Sequence, residues 1–193
     1  LFAKYTHLLL AMLVVEARAP TACINATLFN PPEIARSYST VWANEAIGTG
    51  HARSMLNSAL TWSVATNDVN QHMTIDAGTV HIVHGVATQG RADCLFGCQW
   101  VKSYSVQVST DGMTFTDVDG GASFMGNSDS NTVVQTCFSS VVSARYVRLK
   151  PKTWNGHISM RAALYATHHY HHYHCHRRHY HHYHHYHHYH HYH

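Results

Sequence analysis

At 193 residues the chain has room for one ordinary domain plus extensions. Its 13 lysines and arginines nearly balance 10 aspartates and glutamates, and charge over residues 32–166 is sparse, which argues against a nucleic-acid partner. The formal net charge of +3 counts 22 histidines as neutral, most of them in the last 26 residues, so acid would make the chain far more positive.

Residues 1–19 read as a secretory signal whose Met is missing. Lys4 supplies a weak positive start, Leu8 to Val15 an apolar core too short to span a bilayer, and Ala17-Arg18-Ala19 a small-residue exit. Cleavage after Ala17 or Ala22 stays open, because Pro20 follows the exit directly. Five cysteines fit the oxidising compartment that a signal implies, and Asn25-Ala26-Thr27 is a glycosylation sequon usable only there. The mature protein is therefore expected to be secreted and extracellular. Residues 20–32 form a polar arm that ends at Pro31-Pro32.

A domain is expected over residues 33–166. Glu33 to Ser39 suits a first strand, and Val41 to His51, glycine-containing and without a period, suits a long loop with Trp42 inside it. In His72 to Ala77, Met73, Ile75 and Ala77 alternate with polar residues, as in a half-buried strand, and Gly78-Thr79 punctuates it. His81 to Thr88 is apolar and β-branched, like a buried strand. From Trp100 to Thr110, Tyr104, Val106 and Val108 share one face, and Asp111-Gly112 offers a tight turn back into Met113 to Val118. Residues 119–131 read as loop, 132–138 as strand, 145–149 as a strand ended by Pro151, and 157–165 as a closing strand. Trp62, Trp100 and Trp154 are assigned to the core. About eight short strands and no long amphipathic helix imply an all-β antiparallel jelly-roll sandwich or barrel.

Between the two central strands, Cys94-Leu95-Phe96-Gly97-Cys98 displays two apolar side chains between cysteines four apart. The pair is close enough for a bridge if the chain doubles back, and such a clip would hold Leu95 and Phe96 outward, so that binding forfeits less loop entropy. A metal site is the alternative, with no matched second pair to complete it. No G-x-S-x-G or H-E-x-x-H motif is present, nor any other catalytic constellation, so no enzyme is expected.

Nine short motifs occur in one order: Leu56-Asn57, Trp62, Ile75-Asp76-Ala77-Gly78, the run Gly85 to Arg91, Trp100 to Tyr104, Ser109 to Gly112, Phe124 to Asn127, Ala144 to Arg148, and Met160 to Tyr165. Together they resemble the discoidin domain family, also called the type C domain of coagulation factors five and eight. The resemblance implies a distorted jelly-roll barrel similar to galactose-binding domains, non-catalytic, with ligands docking on loops at one end. It places Val41 and Trp42 at one loop tip, and Leu95 and Phe96 on the loop where coagulation factors carry membrane-inserting residues. Arg53 and Arg91 are candidates for a basic collar, but Asp93 and Glu45 offset them. That balance fits a glycan or glycoprotein, with Asn44, Arg91 and Asp93 hydrogen-bonding hydroxyls, better than a phospholipid surface, which is the alternative. The family's tie between first and last strands implies Cys23–Cys175, with Cys23–Cys137 as the alternative. Calcium is not expected, because Met55 to Leu60 holds no carboxylate.

The tail, residues 167–193, repeats His-His-Tyr with period three, broken at Cys175. That period fits neither helix nor strand, so a disordered or polyproline-like tail is expected. His168, His169, His171, His172, His174, His176 and His179 are candidate ligands for zinc, copper or nickel, although a plain codon repeat would write the same pattern. The domain itself requires no cofactor on this reading.

Overall fold

The computed structural model describes residues 23–94 and 97–168. They form nine strands: β1 Thr27–Phe29, β2 Arg36–Tyr38, β3 Trp62–Ser63, β4 Met73–Gln89, β5 Trp100–Ser109, β6 Thr116–Asp117, β7 Phe124–Met125, β8 Val134–Asn155 and β9 Ser159–His168. All pairings are antiparallel, in the order β1-β9-β4-β8-β5-β6, with β2 on β4, β3 on β9 and β7 on β5. The all-β class expected from the alternation is the observed one, with nine strands rather than about eight.

Two long strands carry the architecture. β4 runs 17 residues and β8 runs 22, each crossing what the sequence reads as a break. Gly78 does not end β4; it sits at positive φ inside a register shift between Asp76 and His81, and the strand resumes beyond it. Pro151 does not end β8 either. It lies at the shift opposite Tyr104, where the ladder is already irregular and a missing N–H is tolerated. Glu33 to Ala35 is a single 3₁₀ turn instead of strand, started after Pro32, and the Glu33 carboxylate accepts from the Ser54 and Met55 amides at 2.8 and 3.1 Å.

The core is built from the alternating faces: Trp62, Met73, Ile75, Val83, Val86, Tyr104, Val106, Phe138, Val147, Leu149, Met160 and Leu164 are fully buried. Tyr104 donates its hydroxyl to Thr136 Oγ1 at 2.9 Å, and burial pushes its pKa up to about 12. Trp62 is core as expected, whereas Trp100 and Trp154 are only half-buried. Trp154, beside a shift in the β5–β8 register, still packs against the core cluster.

Two buried arginines act as internal braces. Arg36 donates to the carbonyls of Pro31, Ser54 and Ala162, and Arg161 to those of Gly90, Ser58 and Ser130. Arg161 is 1% exposed. Desolvation lowers the pKa of both, with the Glu33 charge opposing the shift at Arg36. Such a guanidinium supplies the donors that buried loop carbonyls need.

Among the described residues the disulfides are Cys94–Cys98 and Cys23–Cys137. The first is the expected clip. The second replaces the expected Cys23–Cys175 tie: Cys23 sits by the β4–β8 ladder, where Gly85 faces Cys137 in register. A Cβ on Gly85 would lie 3.0 Å from Cys23 Sγ and 2.1 Å from the Thr136 carbonyl, so glycine makes room for the bridge. Cys175 lies outside the described residues, as do the signal, Leu95, Phe96, His169, His171, His172, His174, His176 and His179. No helix among the described residues is long and apolar enough to cross a membrane.

Candidate functional site

Three loops and the short strand β3 meet at one pole around a cavity of about 440 Å³, lined by Trp42, His51, Ser63, Arg91, Gln99 and His157. Trp42 opens a 3₁₀ turn in the long loop, which Ala43 and Asn44 continue at positive φ. The turn leaves the indole 50% exposed. It meets the His157 ring edge-on, with centroids 5.8 Å apart. An exposed indole braced by one neighbour presents a flat apolar face at little conformational cost.

A chain of hydrogen bonds drawn from distant segments backs the wall of the cavity. Arg91 Nε donates to Asp93 Oδ1 at 3.2 Å and its Nη1 to Gln99 Oε1 at 3.3 Å. Gln99 Oε1 also accepts from Ser159 Oγ at 2.9 Å. Ser159 has a single proton to give, so in its 2.9 Å contact with Ser63 the Ser63 hydroxyl donates, leaving Ser63 Oγ as an acceptor beside the cavity. Arg91 is 8% exposed, so its charge is largely shielded from solvent and held by these partners.

Both histidines have their tautomers set by oxygen acceptors. His51 Nδ1 lies 2.9 Å from Glu45 Oε2, which also accepts the His51 amide, and His157 Nδ1 lies 3.2 Å from the Ile158 carbonyl. Carboxylate and carbonyl oxygens only accept here, so Nδ1 carries the proton and Nε2 becomes the acceptor in each neutral ring. Burial first holds His157 below the ordinary imidazole range, against the pull of the Ile158 carbonyl and with the Arg91 charge adding to it. The His51 amide bond holds the Glu45 carboxyl below its ordinary value.

The 91–99 loop is closed at its base by Arg91 N donating to the Gln99 carbonyl at 2.9 Å, and by Asn155 Nδ2 donating to the Cys98 carbonyl at 2.7 Å. The Cys94–Cys98 bridge sits above that base. A Cβ on Gly90 would fall within 2.9 Å of the Asp129 and Gln99 carbonyls, so the loop's entry requires glycine.

Of the expected binding residues, Trp42 and Arg91 line the cavity, and Asp93 is there as Arg91's partner. Val41 is not at a tip: it is half-buried against the core. Arg53 is not at the cavity either, since its Nε donates to the Gly48 carbonyl at 2.9 Å and braces the loop. Asn44 is exposed beside Trp42. His51, Ser63, Gln99 and His157 escape sequence reasoning, because no motif links positions so far apart. The one local signal is Ser63, directly after the buried Trp62. Among the described residues no group of three metal-ligating side chains comes together.

This fold and this pole define a type C jelly roll with a tryptophan-edged recess whose open surface is almost wholly apolar. The chain belongs to the F5/8 type C domain family, whose model matches residues 35–164, a family of non-catalytic binding modules for carbohydrate or phospholipid. It is 32% identical over 113 residues to discoidin-2 of Dictyostelium discoideum, covering 58% of this chain and 43% of that protein. It is 32% identical over 154 residues to lactadherin of Bos taurus, covering 75% of this chain and 36% of that one. The chain thus spans less than half the length of these relatives. The structure of recombinant discoidin II of Dictyostelium discoideum matches with a TM-score of 0.59 and 29% identity over 68% of this chain and 54% of that one. The family 32 module from C. perfringens NanJ, solved in complex with galactose, shares the fold at TM-score 0.50 and 15% identity over 71% and 95%.

Proposed function

We propose that the protein is a secreted binding module that takes a carbohydrate, free or on a glycoprotein, in the cavity beside Trp42. One observation carries the reading: an exposed indole edges a cavity of almost wholly apolar open surface, with the His51 and His157 rings and the shielded Arg91 guanidinium in its wall. A sugar offers a C–H face for the indole and hydroxyls that both give and accept. In their neutral forms the His51 and His157 rings would accept from hydroxyls at Nε2, and Arg91 would donate. The Asp93 carboxylate at Arg91 weakens attraction to anionic lipid, which argues for sugar over phospholipid. The two disulfides are compatible with an oxidising, extracellular setting, and Asn25 of the Asn-Ala-Thr sequon is exposed. The sequence of residues 168–193 adds a zinc, copper or nickel ligand set, released as histidines protonate below about pH 6.5.

A glycan array run beside co-sedimentation with phosphatidylserine liposomes tests the reading. Selective glycan capture that Trp42→Ala weakens by about 30-fold is the expected result. Liposome binding alone would reject the carbohydrate reading.

A further inference from the structure

The described residues contain three lysines, Lys102, Lys150 and Lys152, and all three lie with Arg148 on the outward face of β5 and β8. The inward positions of β8 are Val147, Leu149 and Pro151, all buried, so Arg148, Lys150 and Lys152 alternate to the other side. On β5, Lys102 is exposed between buried Val101 and Tyr104. Register brings the two rows together: Arg148 faces Gln107, Lys150 faces Ser105, and Thr153 faces Ser103, with a hydroxyl–hydroxyl contact of 2.6 Å.

None of these four cations is in an ion pair among the described residues. Every other described arginine is engaged: Arg36 and Arg161 with buried carbonyls, Arg53 with Gly48, Arg91 with Asp93, and Arg145 with Asp76 at 2.8 Å. Arg148 is held ready, its guanidinium 3.6 Å from the Phe115 ring centroid and its Nε donating to Thr74 Oγ1 at 3.1 Å. Lys152 Nζ donates to the Gly121 carbonyl at 3.2 Å. Asp117 is the carboxylate that borders the face, and it already accepts from Gln107 at 2.9 Å. The local potential is felt by a neighbour: burial first, then the Arg148 and Lys150 charges, hold His72 below the ordinary imidazole range, against the pull of the Asn70 carbonyl.

We propose that this face, with Lys102, Arg148, Lys150 and Lys152, is a second binding site, separate from the cavity, that takes a sulfated polysaccharide laid along β8. Alternate residues on a strand stand about 7 Å apart, so Arg148 to Lys152 spans about 13 Å. That is an extended row of charge, suited to a linear polyanion rather than to one phosphate. The flanking Ser103, Gln107 and Thr153 supply neutral groups that hydrogen-bond to sulfate oxygens. Both disulfides suit an oxidising compartment, where the abundant linear polyanions are sulfated glycans and not nucleic acids.

The test is retention of the full chain on immobilised heparin at about pH 8, where imidazole is neutral. Wild type is expected to bind and to elute with salt, as screening requires. Lys102→Gln/Lys150→Gln/Lys152→Gln should lose about tenfold or more in affinity, and the matching triple Lys→Arg variant should keep it. Trp42→Ala should be retained like wild type, which separates this site from the cavity. Unchanged retention of the Gln triple, failure of the Arg triple to bind, equal retention on desulfated heparin, or equal affinity for duplex DNA would overturn the proposal.

Discussion

The cavity pole and the frame beneath it both use arginine, to opposite ends. In the frame, Arg36 and Arg161 are buried and direct their donors mainly to backbone carbonyls, so each ties together loops that would otherwise hold unmet acceptors. At the pole, Arg91 bonds to the side chains of Asp93 and Gln99, which are themselves at the cavity. The first arrangement fixes the chain path. The second fixes the direction of side chains and leaves the recess open. Frame substitutions should therefore move stability and spare ligand preference, and pole substitutions should do the reverse.

The sharpest way to break that contrast is at the long bridge. Cys23 and Cys137 close a loop of 114 residues, so Cys137→Ser should cost about 4 kcal/mol in denaturant unfolding, while the folded fraction keeps its glycan profile. A non-reducing peptide map should recover Cys23 with Cys137. Arg161→Met comes next, at about 3 kcal/mol by the same measurement, because it leaves the carbonyls of Gly90, Ser58 and Ser130 without their donor. Trp42→Ala should leave unfolding within about 0.5 kcal/mol, its side chain being half exposed, yet weaken glycan binding by about 30-fold, or about 2 kcal/mol.

The smallest effect is with pH. His72 and His157 have folded pKa values depressed by burial, so the unfolded chain binds their protons first. Stability should hold above about pH 6.5 and begin to fall below it. Glu45, held down chiefly by the His51 amide, and Asp76, held down chiefly by Arg145, have depressed folded values too. Their contribution is present above the unfolded carboxylate range of about 4 and is lost as pH falls through the folded values. A thermal melt series from neutral to acid reads both steps.

Much of the frame was legible. Strict alternation marks β5 and the first part of β4, because one face of each is buried. Trp42 was legible too, since an indole in a loop without a period has no strand to bury it. The long strands were not, because a bulge lets Gly78 and Pro151 sit inside a ladder that sequence rules would end there. The cavity's His51, Ser63, Gln99 and His157 were hidden for another reason: β3–β9 pairing and the loop ends bring them together from four separate segments. The Cys23 partner turned on register, which composition does not encode. Overall charge balance concealed the basic face, although Arg148, Lys150 and Lys152 at alternate positions carry a signal of period two.

The most direct test of the cavity assignment is amide and indole chemical-shift mapping during titration with the best glycan from the array. The Trp42 indole N–H, the Gln99 side-chain amide and the His157 ring should shift together and saturate together. Saturating shifts elsewhere on the domain, with these three signals unmoved, would contradict the account.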